Sequence, residues 1–385
     1  MYLSRIHIQD FRILKDIKLH FQPPVGKSDG NNGNVVNVIA GVNGCGKTTL
    51  LDAIFMALSS PHDFLYQASL GSFEIDGASN FEKHQWGDWH NKVQSFNKEN
   101  QNNPDYHDVP RILYLPSQQN FSYSAVAKLK LSYVFAQKID TSQILGNAEF
   151  FIKEYVLAHE RESQLSDPKA RTKEAVDKFN AHFCDAQLLT KLVDLSKADF
   201  NTPVFSNATG DLVNINALSD GEKQLYARVI ALMMLEPRNS IILIDEPEIA
   251  LHPAWQQKIM QIYASIGENN QFIVVTHSPQ VIRSVPYQNR IILHKNNDER
   301  KIAAVYMDSP PTGIDINSIL SEIMGAEKIP ADLLSLYHQY RGYVENKQEQ
   351  TPEAKAIKQQ ILAQESEQSE FMQEMGFLID LRAMA

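Results

Sequence analysis

The stretch VVNVIAGVNGCGKTTLLDAIFMAL (residues 35–58) decides how this chain is expected to fold. VVNVIAG is a short apolar run with several β-branched residues, which predicts a buried strand. TTLLDAIFMAL places Leu51, Ile54, Phe55 and Leu58 at helical spacing. Between strand and helix, GVNGCGKTT (41–49) fits the pattern G-x-x-x-x-G-K-[ST]. Its glycines let the backbone wrap closely around phosphate oxygens, and the N–H groups and the helix N-terminus then point at them. Gly41, Asn43, Gly44, Cys45, Gly46, Lys47, Thr48 and Thr49 are therefore candidate nucleotide-binding residues. Lys47 is expected to contact the β- and γ-phosphates, and Thr48 to ligate Mg²⁺.

Two more apolar runs end in polar groups. SIILIDEPE (240–248) predicts a buried strand that delivers two carboxylates. Asp245 is expected beside the Mg²⁺ shell, with Glu246 facing the γ-phosphate to position or deprotonate the attacking water. FIVVTHSP (272–279) ends in His277, where a sensor of the γ-phosphate is needed. LSDGEKQ (218–224) predicts a helix start, with Ser219 as N-cap and Gly221 in the first turn. That turn offers N–H groups and a hydroxyl to an anion. The phosphate loop already surrounds a triphosphate from one side, so a second cradle makes sense if it completes the site of another copy.

This order of motifs resembles the ABC-type ATPases of the SMC/RecF-like class. LSDGEKQ is similar to their signature motif, with a mild departure from LSGGQ, and ALHP (250–253) to their D-loop. YLPSQQ (114–119) places Gln118, or alternatively Gln119, where the Q-loop glutamine contacts Mg²⁺ and water. IQDFRILKDIKLHF (8–21) resembles the opening strands of the same relatives, with Phe11 or Arg12 a candidate for the adenine or for a purely structural role. GIDINSILSEIMG (313–325) resembles a segment of ATPases from bacterial anti-phage systems, Septu-type and retron-linked ones included.

The resemblance implies an α/β fold: an ABC-type P-loop ATPase with a mostly parallel core sheet, an N-terminal antiparallel β segment, and a helical insertion between Q-loop and signature. Residues 1–121 and 201–311 are expected to form the two parts of the ATPase domain, 122–200 a helical lobe, and 312–385 a C-terminal helical region. ATP and Mg²⁺ are the implied ligands. A head-to-tail dimer or larger oligomer is the implied state, with Lys47, Glu246 and His277 catalytic and Thr48, Asp245 and Gln118 around the metal. The function implied is ATP hydrolysis in a defence complex that controls a separate nuclease or toxin effector. The alternative is a RecF-like repair ATPase that clamps DNA directly, and a transporter motor is a third, less fitting reading. No nuclease constellation is visible in the chain itself.

Local structure between the motifs is read as follows. Residues 2–21 predict an antiparallel strand pair, 60–108 an irregular excursion with room for some strands, and 122–200 mostly helix broken at Pro168. WGDWH (86–90) reads as an exposed loop or interface, and His84 and His90 lack a convincing ligand set. Helix is expected over 253–266, and closing strands over 282–295 and 301–308. Lys128, Lys130 and Lys138 are candidates for a basic face toward DNA, or for an ordinary solvated helix face. In the tail, Phe371, Met375, Leu378 and Arg382 share a helical face with Ile379 adjacent, fit to dock on the protein's own core or on a partner.

Composition sets the outer bounds. The chain has 385 residues, 43% of them hydrophobic and 21% charged, which is ample for a core and too balanced for broad disorder. Its net charge of −10 argues against a broadly basic nucleic-acid binder. Two cysteines cannot build a disulfide framework. No signal peptide or membrane-length apolar run is evident, so a cytoplasmic, membrane-free protein is expected.

Overall fold

The structure is a computed structural model, described here for residues 1–28, 32–60, 69–76, 79–82, 86–100, 108–117, 133–140, 144, 146–183, 188, 190–197, 199–296, 301–307 and 329–383. The chain divides into two units, Met1–Ile316 and Asn317–Ala385.

The strands and helices of the first unit follow in chain order. They are β1 (Leu3–Phe11), β2 (Leu14–His20), β3 (Val35–Gly41), α1 (Lys47–Ser59), β4 (Ser69–Ile75), β5 (Ser79–Glu82) and α2 (Trp86–Asn100). Then come β6 (Ile112–Leu115), β7 (Ala136–Lys138), α3 (Ala148–Glu162), α4 (Pro168–Ala181), β8 (Lys191–Ser196), β9 (Thr202–Ser206), β10 (Leu212–Val213) and α5 (Asp220–Leu235). The unit closes with β11 (Ile241–Asp245), α6 (Pro253–Gln256), α7 (Ile259–Ala264), β12 (Gln271–Val275), α8 (Pro279–Arg283), β13 (Arg290–Asn296) and β14 (Lys301–Tyr306).

The central sheet has the order β14-β13-β3-β12-β11-β6-β7. Its neighbours run parallel except β14, which is antiparallel to β13. Every residue of β3, β6, β11 and β12 is buried, which is why these strands read as unbroken apolar runs. The parallel arrangement brings their C-terminal ends to one edge, where open α/β sheets place their ligands.

A second sheet, β2-β1-β4-β5, is antiparallel throughout. Here burial alternates with exposure along β2 from Asp16 on, as expected of a sheet with one face on the core. A buried amide ties the two sheets together. Gln271 of β12 accepts from the Leu3 N–H (2.8 Å) and donates to the Leu3 carbonyl (2.9 Å), standing in for a strand neighbour.

Several local expectations are corrected. The N-terminal strand pair is one half of a four-stranded sheet, which β4 and β5, strands allowed for within the 60–108 segment, complete. WGDWH is no exposed loop: it opens α2, and Trp89 is fully buried, its Nε1 donating to the Leu58 carbonyl at 2.9 Å. The indole meets Phe73 and Phe135 edge-on, and this aromatic contact is what fastens α2 to the core.

The 122–200 segment is less helical than its periodicity suggests. β7 extends the central sheet and β8 joins a small antiparallel sheet, β10-β9-β8. Pro168 starts a helix instead of breaking one. It sits at the N-terminus of α4, where a missing N–H costs nothing, behind the N-cap Asp167. Lys138 turns its ammonium over the Tyr114 ring (4.7 Å), whereas Lys128 and Lys130 lie outside the described residues. The helix expected over 253–266 is split into α6 and α7, and 282–289 holds the end of α8 and a 3-10 turn instead of strand.

The second unit contains α9 (Ala331–Glu345), α10 (Pro352–Leu362) and α11 (Glu370–Ala383). Phe371 stacks on Tyr337 at 3.8 Å, and Met375 is fully buried. Leu378 and Ile379 pack on the same cluster, and Arg382 donates to the Val344 carbonyl. The amphipathic face of the tail is thus used within its own unit. GIDINSILSEIMG lies outside the described residues.

Candidate functional site

The phosphate loop leaves β3 at Gly41 and enters α1 at Lys47. Gly44 and Gly46 have φ of 76° and 82°, a left-handed region that side chains rarely adopt. Gly46 is needed a second time over, because a Cβ there would lie 2.9 Å from the Ile13 side chain in the β1–β2 turn. Cys45 is fully buried, and burial pushes its thiol up, away from the reactive thiolate. Asn43 and Thr48 are exposed and Thr49 is half-buried. Lys47 is buried, and its Nζ donates to the carbonyls of Gly41 (2.7 Å) and Val42 (3.0 Å). Desolvation draws its pKa down, opposed by the nearby Glu246 and Asp245.

The register of the central sheet assembles the rest. Asp245 ends β11 opposite Val275 of β12, and Ile244 lies opposite Leu115 of β6. The chain just beyond each strand therefore converges on one edge. Thr48 Oγ1 donates to Asp245 Oδ1 at 3.3 Å, joining the first turn of α1 to the end of β11. Burial lifts the Asp245 carboxyl from 3.8 to about 6, with Glu246, Asp52 and Glu248 adding to the rise.

Glu246 has a left-handed φ of 50°, which turns the chain sharply off β11. Its N–H donates to the Val275 carbonyl (2.9 Å), and Arg228 of α5 donates to its carbonyl (3.4 Å). His277 Nε2 stands 3.5 Å from Glu246 Oε1. Desolvation, then Lys47, hold the imidazole below its usual pKa, so it is neutral near pH 7.

Sequence reasoning missed two residues here. Ser117, just past β6, donates its hydroxyl to Glu246 Oε2 at 2.8 Å. Glu248 is buried and accepts from Thr276 Oγ1 and the His277 N–H, both at 2.7 Å. Glu248 thereby clamps the loop that carries His277. The third acid of SIILIDEPE was a visible signal for Glu248, whereas a serine in YLPSQQ signals nothing until β6 and β11 are known to be neighbours. Gln118 and Gln119 lie outside the described residues.

Phe11 and Arg12 separate. Phe11 is buried in the core, so the adenine role is withdrawn for it, whereas Arg12 is exposed and pairs with Asp52 of α1 at 3.2 Å.

The signature stretch opens α5. Ser219 is its N-cap in a capping box: its hydroxyl accepts from the Glu222 N–H, and the Glu222 side chain accepts from the Ser219 N–H. Gly221 sits against Trp255 of α6, such that a Cβ would come within 2.9 Å of the indole ring. The D-loop stretch bends at Ala250 (φ 62°), and His252 caps α6 through its Nδ1. On its other flank α5 is held by an aromatic cluster, where Tyr226 meets Phe179, Phe183 and Phe205 from the helical lobe and β9. Thr190 joins this anchor, donating to Glu222 Oε1 at 2.7 Å.

Oxygen donors meet where the first turn of α1 reaches the end of β11. The Thr48 hydroxyl and the Asp245 carboxylate are hard ligands of the kind Mg²⁺ takes when phosphate oxygens supply the remainder. Among the described residues no group of three or more His, Cys, Asp or Glu is placed to hold a metal by itself.

Phosphate loop, strand-end acids, D-loop turn, strand-end histidine and capped signature helix stand in one order on a mostly parallel sheet with an antiparallel N-terminal sheet. This arrangement resembles that of the SMC/RecF-like ABC-type ATPases. Two family profiles match parts of it. Residues 1–103 match the family described as "AAA ATPase domain", and residues 153–283 match "AAA domain, putative AbiEii toxin, Type IV TA system". The Septu protein PtuA of Bacillus thuringiensis is 23% identical over 82% of this chain and 85% of its own length. The Retron Vc95 probable ATPase of Vibrio cholerae serotype O1 biovar El Tor is 34% identical over 39% of this chain, but that match spans only 31% of its length. Among solved structures, the SMC head domain from Thermotoga maritima aligns over 80% of this chain and 100% of its own, at 15% identity and a TM-score of 0.43. No helix among the described residues is long and apolar enough to cross a membrane.

Proposed function

We propose that this SMC/RecF-like ATPase hydrolyses ATP between two copies of the chain and serves as the regulatory ATPase of an anti-phage complex, controlling a separate nuclease or toxin effector. The observation that carries the hydrolytic part is the placement of Glu246. It is held between Ser117 and His277 at the edge where Thr48 meets Asp245.

In this reading Gly41, Asn43, Gly44, Cys45, Gly46 and Thr49 line the phosphates, and Lys47 leaves its loop carbonyls for the β- and γ-oxygens. Thr48 and Asp245 hold Mg²⁺, with Gln118 the proposed Q-loop partner. The cation neutralises charge on the phosphates when it is bound. Glu246 orients the attacking water and takes its proton. Neutral His277 reads the γ-phosphate, on a loop that Glu248 fixes. Ser219 and Gly221 of a second copy close the nucleotide from the other side, using the positive end of α5.

Similarity to PtuA over most of both chains supports the defence setting, as does the shorter match to a retron ATPase. The test is gentle isolation of the tagged chain from its native operon with Mg-ATP, followed by mass spectrometry. A stoichiometric nuclease or toxin is the expected companion. Recovery of the chain alone, with nucleic acid bound only in ATP, contradicts the effector part of the proposal.

A further inference from the structure

We infer that Ser117 is a positioning residue for hydrolysis: its hydroxyl holds the Glu246 carboxylate in the orientation that accepts a proton from water. The inference rests on the reading of Glu246 as the general base.

The arrangement follows from strand order. β6, β11 and β12 are consecutive parallel neighbours, and Leu115, Ile244 and Val274 lie abreast in the register. Three residues further on in β12, and two in β6 and β11, the chains deliver His277, Ser117 and Glu246. Glu246 is thus flanked on both sides, and each flank addresses a different oxygen. Ser117 Oγ lies 2.8 Å from Oε2, and His277 Nε2 lies 3.5 Å from Oε1.

Glu246 needs such support because its own backbone does not provide it. With a φ of 50° it has left the strand, so the regular strand environment no longer selects its rotamer. Its N–H and carbonyl are fixed by Val275 and Arg228, but the carboxylate lies several bonds further out. The Ser117 hydrogen bond is the shorter of its two side-chain contacts.

A hydroxyl suits this task chemically. It donates one hydrogen bond without adding a charge, so it steers the carboxylate without forming an ion pair that would compete with the water. It also occupies only one oxygen, and Oε1 stays available on the side of His277. An alanine would leave Oε2 without this donor and the carboxylate free to rotate. A small misplacement of a reacting group is expensive in rate.

The test is a double-mutant cycle in the full chain, with kcat and nucleotide affinity measured separately. Ser117→Ala is expected to lower kcat about 10- to 100-fold. Affinity for a fluorescent ATP analogue should stay within about twofold, since the nucleotide does not contact Ser117 in this reading. Ser117→Thr, which keeps the hydroxyl, should restore most of the rate. In a Glu246→Gln background, Ser117→Ala should cost nothing further, whereas a merely structural role would carry through as an additional loss. Unchanged kcat in Ser117→Ala, or full additivity with Glu246→Gln, overturns the inference. If Glu246→Gln itself turns over like the wild type, the assignment of the base falls, and the role of Ser117 falls with it.

Discussion

The Thr48 hydroxyl donates to the Asp245 carboxylate across 3.3 Å, so residues 197 positions apart in the chain meet where α1 and β11 converge. Asp245 is almost fully buried and its carboxyl is lifted from 3.8 to about 6. A carboxyl with a raised folded-state pKa contributes stability that is fully present below its unfolded value and lost as pH rises through about 6. The size of the effect is on the order of 3 kcal/mol. Metal-free Asp245→Asn should therefore be more stable than the wild type at pH 8, with the gap closing toward pH 4. Mg-ATP should stabilise the wild type and not the variant. Urea melts at the two pH values, with and without Mg-ATP, check both signs.

Lys47→Ala should abolish nucleotide binding. The buried ammonium is the main positive group of the loop, and its loss should weaken ATP affinity by at least about 100-fold. Equilibrium titration with a fluorescent ATP analogue reads this directly. Tight binding by the variant would undermine the phosphate-loop assignment.

Gly221→Ala should be destabilising even though alanine is the better helix former. The new Cβ would stand 2.9 Å from the Trp255 ring, which is too rigid to yield cheaply. Overpacking costs about 1–3 kcal/mol, against a helix-propensity gain of at most about 1 kcal/mol. Denaturant unfolding should show a net loss. A net gain would mean that α6 moves aside without cost and that Trp255 does not pack on the signature turn.

Trp89→Ala should cost about 3–5 kcal/mol, the range for deleting a large buried aromatic. It removes the contacts with Phe73 and Phe135 and leaves the Leu58 carbonyl without its indole donor. Thermal unfolding of the variant against the wild type measures this.

Legibility in the sequence followed the physics of each segment. Strands β3, β11 and β12 are buried on both faces, so their apolar runs showed at once, and the polar residues at their ends marked the site edge. Ser219 was readable as a cap because a serine directly before a helical run is a favoured N-cap. The 86–100 helix escaped because, among its residues with described side chains, Trp89 and Val93 alone are deeply buried, and its Asn- and Lys-containing remainder resembles a loop. Ser117 escaped for a different reason: its meaning depends on β6 lying beside β11, which the local sequence does not encode. Pro168 misled because proline breaks a helix interior but suits its first turn.

The central claim is that two copies of the chain close on ATP and that Glu246 fires the reaction which reopens them. Glu246→Gln should slow hydrolysis to a small residual rate while leaving binding intact, and so accumulate the closed form. Sedimentation of this variant with Mg-ATP, against the same protein with Mg-ADP, tests the claim most directly. The account predicts a larger assembly in Mg-ATP alone. An identical sedimentation profile in both nucleotides, at a protein concentration where the wild type is monomeric, would contradict it.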